Sequence, residues 1–152
     1  MRITPRKLNS FLLFKLPAAY FTGVRATYLD DAKCTVSVKY RWINQNPFSS
    51  MFWAVQGMAA ELTTGALVMK KIRESGQKVS MLVASNNASF TKKATGRITF
   101  ECIEGYKIDE AISNAIDTKE GQTVWLNAKG INKEGIQVSD FNFEWTLKIK
   151  SE

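Results

Sequence analysis

The chain has 152 residues, 45% of them apolar and 23% charged, with a formal charge of +7 and no histidine. That length suits one domain, 1–152, around a single core, and the composition excludes a disordered, collagen-like or disulfide-stapled chain. The missing histidine excludes a Ser-His-Asp triad, a Cys-His pair and a histidine-ligated metal site, so no metal is expected.

The excess of lysine and arginine predicts attraction to anions without naming one. No helix-turn-helix spacing, zinc finger or aromatic RNA-binding signature accompanies it, so no nucleic-acid partner is expected. The first residues, 1–20, carry Arg2, Arg6 and Lys7 ahead of a short apolar run that Lys15 interrupts too early for a secretory leader. They predict an N-terminal helical segment in a cytoplasmic protein. Leu8, Phe11, Leu12 and Lys15 fall at helical spacing, as in a lid packed on a sheet, with a membrane-surface helix as the alternative.

Val24 to Leu29 and Lys33 to Trp42 then predict a hairpin turning at Asp30-Asp31. In its second strand Cys34, Val36, Val38, Tyr40 and Trp42 share one face, and Lys33, Thr35, Ser37, Lys39 and Arg41 the other. Cys34 and Cys102 lie on the apolar phase of their segments and are expected to be buried free thiols. After Asn44-Gln45-Asn46-Pro47 the chain reads as one long central helix over 49–75, stopped at Gly76. Strands are expected at Lys78 to Ser85, Arg97 to Ile103 and Gln122 to Ile131, with a turn at Asn132 to Gly135. Asp109 to Ile116 suits either a short helix or an irregular connection. The final strand is the clearest, with Phe141, Phe143, Trp145, Leu147 and Ile149 alternating with polar residues. About six strands with one apolar face each, and one helix apolar all round, fit an α+β fold in which a curved antiparallel sheet wraps a central helix.

That helix carries the residue that most needs explaining. Between Ser49 and Met69 the only ionisable side chain is Glu61. Polar Gln56, Thr63 and Thr64 lie near its middle and no second long hydrophobic segment accompanies it, which favours a buried helix over a membrane span. A carboxylate inside a covered helix is costly unless something pairs with it or uses it. Its neighbours on the helix face are Gly57, Met58, Thr64 and Gly65, flanked by Ala54 and Val68. Glycine within a helix costs about 1 kcal/mol relative to alanine, so Gly57 and Gly65 suggest close approach by a backbone, a subunit or a ligand, or else by large side chains of the sheet. Glu61 itself is either a working group or the partner of a lysine. Gln56 lies about 140° around the helix from it, which argues against a site shared within one subunit.

The string Asn46-Pro47-Phe48-Ser49-Ser50-Met51-Phe52-Trp53-Ala54, followed nine residues after Phe52 by Glu61, resembles the hotdog-fold thioesterase superfamily. The resemblance is strongest to the small phenylacetyl-CoA thioesterase-like proteins and their domain-of-unknown-function relatives, and covers roughly residues 20 to 150. It implies that Asn46 and Glu61 stand at the catalytic asparagine and acid, and that Phe52-Trp53-Ala54 replaces a His-Gly-Gly step. It further implies an acyl-CoA or acyl carrier protein substrate, coenzyme A entering only as part of that substrate and no other cofactor. The active unit would be a homodimer or a dimer of dimers with sites between subunits.

Without histidine, Glu61 would be the general base for water or the nucleophile. Backbone N–H groups of Phe52, Trp53 and Ala54 at the helix start would hold the oxyanion, and Asn46 or Gln56 would orient water or the carbonyl. Asn46 also suits an ordinary turn before Pro47. Phe52, Trp53 and Met58 would line an acyl pocket or belong to the core. Lys92 and Lys93, in a loop near the implied pantetheine path, would meet coenzyme A phosphates or remain solvated loop charges. The alternative from another class is a non-catalytic acyl or acyl-CoA binding protein of the same fold.

Overall fold

A computed structural model describes residues 3–150. Two short helices, α1 (Pro5–Lys15) and α2 (Pro17–Phe21), lead into β1 (Arg25–Leu29) and β2 (Cys34–Lys39). A single 3-10 turn (Trp42–Asn44) precedes the long helix α3 (Trp53–Ser75). Then follow β3 (Val79–Phe90), β4 (Arg97–Cys102), α4 (Gly105–Thr118), β5 (Gln122–Ile131) and β6 (Gln137–Ile149). The strands form one curved antiparallel sheet in the order β1-β2-β4-β5-β6-β3, as the α+β reading requires. α3 packs against β1, β2, β4, β5, β6 and α4, so most of its surface is covered.

The N-terminal segment is two helices rather than one. Pro17 cannot continue α1, because it lacks the N–H and restricts Leu16 before it, but it suits the first position of α2. Leu8 and Leu12 turn inward, and the described residues of this segment place Phe14 outward at 78% exposure.

α3 begins four residues later than the sequence pattern predicts, because the amides before it are already spent. Asn46 Oδ1 accepts from the N–H groups of Phe48 (2.9 Å) and Ser50 (3.2 Å). Met51 N–H donates to Ala94 O and that of Phe52 to Asn44 O, both at 2.8 Å. Residues so committed cannot wind into the helix. At its other end Gly76 takes φ +69°, the left-handed conformation that closes many helices.

β2 is shorter than expected and Trp42 lies in the 3-10 turn, 82% exposed, rather than on the apolar face of a strand. β3 is longer, running through the polar stretch Ser85 to Ser89 to Phe90. Alternation reports burial, and that half of an edge strand is exposed on both faces. The ambiguous segment is α4, with Ile108, Ala111, Ile112 and Ala115 on its buried face. At its start a Cβ on Gly105 would come within 2.3 Å of the carbonyl oxygen of Asp31, so only glycine lets α4 approach the β1–β2 turn.

Cys34 and Cys102 are free, buried and directly opposite each other on β2 and β4. Burial pushes the Cys34 thiol up to about 12 and that of Cys102 to about 11. Lys70 of α3, 2% exposed, is paired with Asp31 and Glu74. The one buried lysine of the helix therefore serves those carboxylates and not Glu61.

Candidate functional site

Six of the residues singled out in the sequence meet around one cavity of about 530 Å³ beside the start of α3: Asn46, Phe52, Trp53, Gln56, Lys92 and Lys93. The turn before α3 supplies one wall and the end of β3 with its following loop supplies the other. Asn46 is a turn residue here. Besides accepting from two backbone amides, its Nδ2 donates to Ser50 Oγ (3.0 Å) and Met51 O (3.4 Å), so its amide shapes the cavity wall. Lys93 Nζ donates to Phe48 O at 3.0 Å across the loop. Phe52 and Trp53 pack edge to face, with ring centroids 6.2 Å apart, and stand half-exposed at the rim. Gln56 is 4% exposed and its Oε1 has no hydrogen-bond partner among the described residues. A buried acceptor left open at a cavity is costly unless a ligand or water meets it.

The first turn of α3 presents open donors. Phe52 N–H is committed to Asn44 O, and Val55 N–H to Phe52 O at 3.0 Å. The N–H groups of Trp53 and Ala54 make no hydrogen bond among the described residues, which is the usual state of a helix start awaiting a cap or an anion. Of the three expected oxyanion donors, two are open.

Glu61 lies elsewhere. It does not line this cavity, and five residues of helix place it about 7.5 Å along the axis and 140° around from Gln56. Its side chain makes no hydrogen bond or ion pair among the described residues, and burial raises its carboxyl above the ordinary glutamate range. Its surroundings explain the small residues near it. A Cβ on Gly65 would lie 3.1 Å from Cζ2 of Trp145 and 3.5 Å from Glu61 Oε1, so the glycine admits the indole of the sheet beside the carboxyl. Trp145 Nε1 donates to Thr64 Oγ1 (3.0 Å), and Thr64 Oγ1 donates to the backbone carbonyl of Glu61 (3.0 Å). Thr64 and Gly65 are fully buried and support Glu61 rather than face a cavity. A Cβ on Gly57 would meet the rings of Phe141 at 3.5 Å and Trp53 at 3.9 Å, and Met58 is half-buried against the core.

The cavity also takes in Phe48, Ser50, Met51 and Phe90, which sequence reasoning did not assign. Phe48 and Phe90 flank strings already singled out, but only the fold of the turn and the length of β3 bring them together. Among the described residues, no group of three or more Cys, Asp or Glu side chains is placed to hold a metal ion. No described helix is long and apolar enough to cross a membrane.

The same architecture occurs in solved structures. A protein of unknown function from Pseudomonas aeruginosa, described as a probable thioesterase, superposes with a TM-score of 0.83 at 21% identity, covering 99% of both chains. One of unknown function from Chlorobaculum tepidum gives 0.83 at 19% identity, over 97% of this chain and 98% of that one. A thioesterase from Haemophilus influenzae gives 0.73 at 10% identity, over 100% and 95%. At such identities the likeness is one of fold. No curated protein matches the sequence. A family model matches residues 6–147, nearly the whole chain, and this protein therefore belongs to DUF4442, a domain of unknown function.

Proposed function

We propose that the protein hydrolyses acyl thioesters, of coenzyme A or of an acyl carrier protein, with Glu61 as the reactive carboxylate. The observation that carries this reading is Glu61 itself: a half-buried carboxyl with no cation or hydrogen-bond donor among the described residues, raised in pKa by desolvation, as suits a general base. The thioesterases of the same fold add weight to it. Deprotonated Glu61 takes a proton from water as its oxygen attacks the thioester carbonyl, or attacks that carbonyl directly to give an anhydride that water then opens. Either way the thiolate leaves and is protonated. The open N–H groups of Trp53 and Ala54 receive the oxyanion, aided by the positive end of α3. Gln56 orients the carbonyl or the water, and Lys92 and Lys93 favour an anionic substrate at the cavity.

Within one protomer Glu61 does not reach that cavity, so the active unit is a dimer in which Glu61 of one protomer completes the cavity of its partner. β3 suits such an assembly: it is an edge strand of 12 residues, largely exposed, whose outer edge has no partner strand among the described residues. The test is thiol release from short, long and aromatic acyl-CoAs by the wild-type protein and by Glu61→Gln. Turnover in the wild type and a loss of about a hundredfold or more in the variant are expected. Equal turnover in both removes Glu61 from the mechanism. A second reading, a non-catalytic acyl-CoA binder, draws support from the bulk of Phe52 and Trp53 at the cavity rim, and retained ligand without turnover by any substrate would establish it.

A further inference from the structure

The protein carries a second concave site. A cleft of about 230 Å³ is lined by Gly23, Arg25, Lys39, Arg41 and Arg97, four cations and no carboxylate. It lies where the beginnings of β1 and β4 meet the end of β2. Where a carboxylate is within reach, as for Lys33 with Glu101, Lys71 with Asp109 and Lys107 with Glu104, the cation is paired. None of the four cleft cations has an ion pair among the described residues. Lys39 and Arg97 stand directly opposite each other in the β2–β4 register, an arrangement of like charges that destabilises a sheet. Such a concentration of positive charge is relieved by an anion from solution.

The cleft is also ordered in advance. Arg25 Nη1 donates to Tyr20 O (2.7 Å) and Val24 O (2.8 Å), and its guanidinium lies 3.6 Å over the Tyr20 ring. Arg97 Nη1 donates to Ser37 Oγ at 3.3 Å. Gly23, at φ +96°, leaves room for Arg41: a Cβ there would sit 2.5 Å from Arg41 Nη2. Planar guanidinium forks held in place suit the tetrahedral oxygens of a phosphate, which they bind through paired, charge-assisted hydrogen bonds. A small concavity with converging cations fits a compact anion better than the long acidic face of a protein.

We propose that Arg25, Lys39, Arg41 and Arg97 form a binding site for an organic phosphate ester. Its position suggests which end of a ligand it takes. Ala94 lines the cavity at the start of α3, and Arg97 follows three residues later, a Cα span of at most about 11 Å. Tyr40 N–H, between Lys39 and Arg41, donates to Gly96 O at 2.7 Å, which holds the two sites to one end of the sheet. A thioester in the cavity on a flexible arm would thus place its phosphates over the cleft. That assignment to a coenzyme A or phosphopantetheine ligand rests on the thioesterase reading, whereas the phosphate site itself does not.

The test is calorimetric titration at low salt with adenosine 3′,5′-bisphosphate, 4′-phosphopantetheine and inorganic phosphate, none of which contains a thioester. The wild-type protein is expected to bind at least one of the two esters more tightly than inorganic phosphate. Arg41→Ala with Arg97→Ala should weaken that ester by about tenfold or more, Arg41→Lys with Arg97→Lys should recover part of it, and Lys119→Ala with Lys133→Ala should leave it unchanged. A stronger response to the bisphosphate assigns the nucleotide end of coenzyme A, and one to phosphopantetheine assigns the carrier-protein arm. No ester binding by the wild type, or equal affinity in an Ala pair that melts like the wild type, overturns the site. Phosphate binding lost in the Ala pair, with no thioester turnover in the wild type, would keep the site and refute the hydrolase. Turnover with unchanged phosphate binding in the Ala pair would do the reverse.

Discussion

Glu61 shows how one side chain can be placed at a cost to the fold. Its carboxyl is half-buried beside the indole of Trp145, with Thr64 fixing both its own helical turn and that indole, and no cation among the described residues neutralises it. Because burial raises its folded-state pKa, the folded protein holds this proton more tightly than the unfolded chain does. Stability from this group is therefore fully present below the ordinary glutamate pKa and is lost as pH rises through the raised one. Glu61→Gln removes that loss. The variant should match the wild type in urea unfolding near pH 4 and exceed it in stability at pH 7 to 8, and a constant offset across that range would contradict the burial of the charge. The residue was legible in the sequence as the sole acid of an apolar stretch, and so were Thr64 and Gly65 as its helical neighbours. The identity of what approaches Gly65 was not, because Trp145 reaches it from a strand eighty residues away.

Among the elements, the strands with one wet face could be read directly: Phe141, Phe143, Trp145 and Leu147 of β6 are all buried and their neighbours are not. Boundaries followed less well, since they are set by hydrogen bonds to distant backbone. The late start of α3 depends on Ala94 and on Asn44, which no local pattern announces. Asn44 is the joint of this region. At 2% exposure it accepts from Arg41 N–H (2.8 Å) and donates to Thr22 O and Lys39 O (both 2.9 Å), tying α2, the end of β2 and the 3-10 turn together. Asn44→Ala would leave those buried groups unpaired, and a loss of about 2–3 kcal/mol is expected, read as a lower urea midpoint at constant slope. A variant within a few tenths of the wild type would show that water takes over the vacated bonds.

At the scale of the molecule, the sequence suggested a central helix in a curved sheet, while the cleft of Arg25, Lys39, Arg41 and Arg97 was invisible in it. Arg25 comes from β1, Lys39 and Arg41 from the end of β2 and just beyond it, and Arg97 from β4, and only register brings these three segments together. The outer edge of β3 is expected to join a second copy, with Leu82, 67% exposed, near the contact. Sedimentation should give twice the mass of 17.1 kDa, and Leu82→Glu should shift it to the monomer while abolishing any turnover. A wild type that sediments as a monomer at micromolar concentration would remove the shared site. The paired cysteines also decide how such turnover can be counted. Both are closed off from solvent and held as thiols far above neutral pH, so a disulfide reagent that colours on meeting free thiol will not see the native protein. Every equivalent it reports during a reaction is released product, and a sudden rise of two per chain marks unfolding instead.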